Sequence, residues 1–177
     1  MSTASERIIT AISDQELERR WQAARNEMSA RKIDALVMQN ANDWLGGYVK
    51  WFTDIPATNG YPKTVIFHGG DPMTLIEMGG FGIVRKLKGS DPVHRGIEEV
   101  IGSPSFLSVN YTDGYHADCA LSVLKKHGYR TIVLLGPAAC RTLSSPGSRK
   151  VCLGPPSSTQ QISSIASKRS RARKKSA

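Results

Sequence analysis

The sequence predicts an α/β fold, a three-layer sandwich around a mixed β-sheet. Two observations predict it. Stretches with helical spacing of apolar residues alternate with short, wholly apolar runs of strand length. Two β-rich runs flank a Gly-Gly-Asp-Pro turn, which reads as a hairpin.

The elements follow in chain order. Ser13 and Glu16 form a capping-box pair ahead of Leu17, Trp21, Ala24 and Met28, which share one helical face, so 14–31 is predicted as an amphipathic helix. Ile33 to Met38 reads as a strand buried on both faces. Asn42 to Tyr48, with its Asn, Asp and Gly pair, reads as a loop or short helical turn. Thr64 to His68 and Met73 to Glu77 form the hairpin around Gly69-Gly70-Asp71-Pro72. Gly79, Gly80, Gly82 and the stretch 85–95 read as a polar, basic connection, and Ile97 to Ile101 as a strand. Ala117, Ala120, Leu121 and Leu124 make a second helix closed by Gly128, and Thr131 to Leu135 is a second fully apolar strand.

With 177 residues, the chain is long enough for one domain with a real core. Apolar residues make up 40% and charged residues 22%, in the range of globular proteins. The sequence holds no apolar run of membrane-spanning length and its first residues do not resemble a secretory signal. Three scattered cysteines (Cys119, Cys140, Cys152) supply neither a disulfide framework nor a closed zinc site, so a reducing, cytoplasmic location is expected.

The formal net charge of +9 is concentrated at one end. Residues 1–139 hold 15 Lys+Arg against 15 Asp+Glu, whereas 140–177 hold nine basic residues, ten serines and no acid. Without Phe, Tyr or Trp, that segment has too little apolar surface to offset the entropy of ordering and is expected to be a disordered basic tail. Its end, KRSRARKK, is compatible with weak phosphate binding, but a nucleic-acid partner is not the favoured reading, and a membrane partner is not expected. The organisation expected is an arm at 1–13, a domain at 14–139 and the tail.

Catalytic signatures are sparse. The four histidines lack metal spacing, and the i,i+2 offset of His116 and Asp118 places them on different helix faces. There is no H-E-x-x-H, G-x-S-x-G or P-loop. The glycines at 79–82 read as a turn rather than a phosphate cradle, and Cys119 as a packed thiol. Trp44, Tyr48, Trp51, Phe52 and Tyr61 cluster between the first strand and the hairpin. That cluster is either a satellite hydrophobic cluster or a binding wall, and Asn42, Trp44, Tyr48 and Tyr61 are the candidate binding residues.

The segment ELERRWQAARNEMSARKIDALVMQNANDWLGGYVKWF, at 16–52, resembles the N-terminal domain of the creatinase, prolidase and Xaa-Pro aminopeptidase family, the pita-bread metallohydrolases. Arg20, Met28, Asp34, Ala35, Leu36 and Val37 match its helix-to-strand pattern, and the hairpin and the 116–136 segment fit the same domain. Lys32-Ile33 replaces the usual glycine before Asp34, and Trp44-Leu45-Gly46 departs from the commoner Tyr-Leu-Thr, leaving subfamily and substrate open.

The resemblance implies that chemistry belongs to a second, C-terminal domain, where peptidase relatives hold a divalent metal pair with two Asp, one His and two Glu. No cofactor and no catalytic residue are expected in this chain. The N-terminal domain supports dimer contacts and covers the active site in such relatives, so a homodimer is a possible assembly and a peptide or small-molecule substrate belongs to the full-length context.

Two alternatives stand beside this reading: a small-ligand-binding or regulatory module, and weak nucleic-acid binding through the tail. The change at 139/140 also raises the expectation of a truncated, out-of-frame end. With the wobble bases free, one permitted one-base-shifted reading of the serine-rich tail gives a helix, a strand and an R-I-K-x-x-K-S-x-E-E-I segment that resembles the family's linker. A domain lacking those elements is expected to be marginally stable, with an apolar face exposed beside the 131–135 strand.

Overall fold

The computed structural model describes residues 11–40, 47–56, 61–87, 91–106, 109–112, 114–135 and 149–152. Among them, three helices and a seven-stranded sheet form three layers. The helices are α1 (Asp14–Arg31), α2 (Gly47–Thr53) and α3 (Tyr115–Lys126). The strands are β1 (Ala35–Asn40), β2 (Lys63–His68), β3 (Met73–Met78), β4 (Val84–Lys86), β5 (Ile97–Ser103), β6 (Thr131–Leu135) and β7 (Arg149–Cys152).

The strand order is β4-β5-β3-β2-β1-β6-β7. β1, β2 and β3 form an antiparallel meander, with Val37 opposite Ile66 and Val65 opposite Leu75. β5 joins β3 and β6 joins β1 in parallel, β7 continues parallel to β6, and β4 closes the other edge antiparallel to β5.

Alternation along each strand builds two cores. Leu36, Met38, Val65, Phe67, Leu75 and Val133 face α1 and α2. Ala35, Val37, Ile66, Ile76, Ile101 and Leu134 face α3, which contributes Cys119, Ala120, Val123 and Leu124.

α1 starts where the Ser13 hydroxyl accepts the Glu16 N–H at 3.2 Å. The Glu16 carboxylate bonds Arg19 and Arg20, so the reciprocal half of a capping box is replaced by an ion-pair cluster. The helix ends at Lys32, held in the left-handed region at φ 55°, and the Ile33 N–H closes onto the Met28 carbonyl. That bond explains why β1 starts two residues later than predicted: the Ile33 N–H is engaged in ending the helix.

Four further differences separate structure from expectation. α2 extends to Thr53, because Val49, Phe52 and Thr53 turn one helical face into the core. β4 lies where a polar connection was expected; its three exposed residues are held by ladder bonds to β5. β7 lies inside the expected disordered tail; the open edge of β6 supplies its backbone partners. β6 itself shows no exposed apolar face among the described residues, since Val133, Leu134 and Leu135 are buried between the helical layers, where an exposed face beside 131–135 was expected.

Candidate functional site

Of the four sequence-predicted site residues, the structure describes Tyr48 and Tyr61. Asn42 and Trp44 lie outside the described residues. Tyr48 is half-buried on α2 and packs against the α1-side core. Tyr61 remains 38% exposed and meets Phe106 edge-on, with ring centroids 5.8 Å apart. Of the neighbouring aromatics, Phe52 is buried against Phe67 at 4.8 Å. Trp51 lies beneath the Arg20 guanidinium at 5.1 Å, and Arg20 also donates to the Trp51 carbonyl. Phe52, Trp51 and Tyr48 therefore pack α2 onto α1 and the sheet, and Tyr61 is the one described candidate at the surface.

Polar chemistry concentrates instead on the α3 side of the sheet. Strand register places Thr74 opposite Glu99 and Glu99 opposite Lys86. The Lys86 ammonium reaches Glu99 Oε2 at 2.6 Å, and the Thr74 hydroxyl donates to Glu99 Oε1 at 3.3 Å. His68, on the neighbouring strand, places Nε2 3.1 Å from that hydroxyl and Nδ1 2.9 Å from the Tyr129 phenol. Tyr129 in turn lies 3.2 Å from His127 Nδ1.

The proton positions along this row follow from Glu99, which as a carboxylate can only accept. The Thr74 O–H points to Glu99, so Thr74 accepts from His68 Nε2–H. His68 Nδ1 is then an acceptor for the Tyr129 O–H, and Tyr129 accepts from His127 Nδ1–H.

The electrostatics agree with that assignment. Burial, aided by the nearby His127, lowers the His68 pKa to about 4, so its ring is neutral at pH 7. Burial alone would raise the Glu99 carboxyl, but Lys86, Lys126 and Thr74 bring it below its ordinary value.

A second histidine is held differently. Gln39 stands opposite Thr64 in the β1–β2 ladder and donates to its hydroxyl at 2.8 Å. The same hydroxyl lies 2.9 Å from Nδ1 of His116, on the first turn of α3. Burial lowers the His116 pKa to about 4, and its Nε2 is buried without a partner. Asp118, two residues on, is exposed on the other side of the helix, as its offset predicts.

A third cluster ties the N-terminal arm to the domain. Asp54 Oδ2 accepts from the Ile12 N–H at 3.0 Å and from Arg95 at 2.8 Å, and Arg95 also reaches Asp14. Among the described residues, neither buried histidine touches a carboxylate that could orient it as a general base; their partners there are hydroxyls and a phenol. Among the described residues, no three His, Cys, Asp or Glu side chains are placed to hold a metal ion.

The glycine turn at 79–82 lies directly on β5, where a Cβ on Gly102 would meet the Gly80 carbonyl oxygen at 2.2 Å. It is thus a packed turn. Cys119 is buried, and burial raises its thiol pKa, as expected of an inert packed cysteine. Sequence reasoning missed the Lys86–Glu99–Thr74–His68 row because its members come from four strands. Only the strand register, read correctly, could have aligned them.

No family model and no curated protein matches the chain. Comparison with solved structures shows the fold, an α/β domain around a mixed sheet. The fold is that of an Xaa-Pro aminopeptidase structure from Streptococcus pyogenes, at 12% identity and a TM-score of 0.51, covering 78% of this chain and 92% of that one. A creatinase/prolidase-like N-terminal domain of a metallopeptidase from Corynebacterium diphtheriae is similar at 16% identity and a TM-score of 0.45, over 77% of this chain and 92% of that one. An Xaa-Pro dipeptidase from Bacillus anthracis is similar at 11% identity and a TM-score of 0.45, over 72% of this chain and 30% of the dipeptidase. Among the described residues, no helix is long and apolar enough to cross a membrane.

Proposed function

We propose that this chain is a non-catalytic domain of an Xaa-Pro-peptidase-type hydrolase, serving as a scaffold in assembly and as a cover over a catalytic domain. The observation that carries this reading is the likeness to the Streptococcus pyogenes structure, which extends over 92% of that solved chain. The chemistry of the domain supports it: His68, Glu99, Asp54 and Arg95 are engaged in bonds that join strands and connections. Phe81, Ile83 and Val84 are exposed near the β4 edge and offer apolar area for a neighbouring subunit or domain.

The test has two arms. The full chain, assayed on Xaa-Pro peptides with added Mn²⁺ or Co²⁺, is expected to give no turnover, and metal-dependent turnover overturns the non-catalytic reading. Light scattering at rising concentration is expected to show a dimer that Ile83→Glu weakens. A monomer at every concentration overturns the assembly role.

A further inference from the structure

The strand ends farthest from Tyr61 frame a cleft of about 290 Å³. α1 contributes Arg25 and Ser29, the α1–β1 connection Ile33 and Asp34, the β2–β3 turn Asp71, and the α3–β6 connection Tyr129. The volume suits one small molecule, near the lower end of ligand-pocket sizes.

The charges in this cleft are of both signs. The Arg25 guanidinium lies 5.0 Å from the Phe67 ring centre and donates through Nη2 to the Asp71 carbonyl. Its Nε is buried and has no acceptor. Among the described residues no carboxylate pairs with the guanidinium, which lines the cleft and leaves its charge to an entering carboxylate. Asp34 uses Oδ2 to accept the N–H groups of Arg130 and Thr131. Asp34, Asp71 and Tyr129 line the same cleft, and burial first, then the charges of Asp71 and Asp34, raises the Tyr129 phenol. Ile33 adds an apolar wall. A simple anion meets two carboxylates here and a simple cation meets the guanidinium. A dipolar molecule pairs with both.

We propose that this cleft binds a free α-amino acid as its zwitterion, carboxylate toward Arg25 and ammonium toward Asp34 and Asp71. This goes beyond the scaffold reading and does not depend on it.

The test is an amide-resolved NMR titration of the full chain at pH 7 and low salt. The probes are L-leucine and its two single-charge counterparts, 4-methylpentanoate and 3-methylbutylamine. Leucine is expected to move the Gly70, Asp71 and Tyr129 signals saturably, with a Kd in the millimolar range or below. Each counterpart is expected to bind about tenfold or more weakly.

Gly70→Leu is the blocking variant. Gly70 lines the cleft and a Cβ there meets no atom within 4 Å, so the fold accepts a side chain that is expected to occupy the cleft. Gly70→Leu is expected to abolish the shifts, and Asp71→Asn to weaken binding. Absence of saturable shifts at about 20 mM leucine overturns the proposal. So does equal binding of either counterpart, or unchanged affinity in a folded Gly70→Leu protein.

Discussion

Asp34 and Thr131 bond each other twice: the Asp34 N–H donates to the Thr131 carbonyl at 2.9 Å, and Asp34 Oδ2 accepts the Thr131 N–H at 2.7 Å. The same oxygen also accepts the Arg130 N–H. One side chain thereby sets the start of β1 against the start of β6. Asp34→Ala removes two charge-assisted bonds and is expected to destabilise the chain by about 2–4 kcal/mol. Asp34→Asn keeps an acceptor and should lose less. Urea unfolding of the two variants checks the order, and equal midpoints would remove the charge-assisted account.

Lys32 holds a left-handed backbone at the end of α1. A Cβ in that region costs about 1–2 kcal/mol, partly offset by the greater entropy glycine loses on folding. Lys32→Gly is therefore expected to raise stability by roughly 0.5–1 kcal/mol. A lower melting temperature for this variant would contradict the assignment of strain.

His68 and His116 are buried, each with its pKa lowered to about 4, against the ordinary value of 6.5. Between those values the unfolded chain binds protons that the folded chain does not. Stability from both rings is complete above about pH 6.5 and falls as pH drops toward 4, by up to about 1.4 kcal/mol per pH unit for each ring. Urea midpoints at pH 7, 6 and 5 should decline, and the slope should flatten in His116→Gln. A midpoint unchanged from pH 7 to 5 would show that neither imidazole resists protonation.

The turn at 79–82 leaves no room above Gly102. Because the obstruction is backbone, Gly102→Ala must separate the turn from β5, at a cost of about 1–3 kcal/mol or more. Gly70→Ala, facing open space, should change stability little and serves as the control. Similar losses for the two would refute the close approach.

The aromatic cluster divides by burial. Phe52→Ala empties a core position and is expected to lose about 3–5 kcal/mol, whereas Tyr61→Ala at the surface should lose under about 1 kcal/mol. If Tyr61→Ala proved as damaging as Phe52→Ala, the division between packing and surface aromatics would fail.

Particular residues explain how far the sequence alone leads. α1 was legible over its whole length because Ser13 and the Leu17–Met28 stripe report the same element twice. The hairpin was legible because its turn residues and flanking β-rich runs agree, and β2 and β3 pair as expected. β4 and β7 left no signal, because short strands at sheet edges are formed by a neighbour's free N–H and C=O groups rather than by apolar alternation. The candidate site suffered most. Aromatic content marked 44–61, yet Phe52 serves packing there, and the polar row beneath α3 draws on residues as distant as Thr74 and Tyr129.

That row has a polarity. Since Glu99 at its end has no proton to offer, each hydrogen from His127 to Thr74 is obliged to point the same way. Converting that carboxylate to an amide would free the arrow to reverse. The acid at position 99 thus writes the tautomer of an imidazole two strands away.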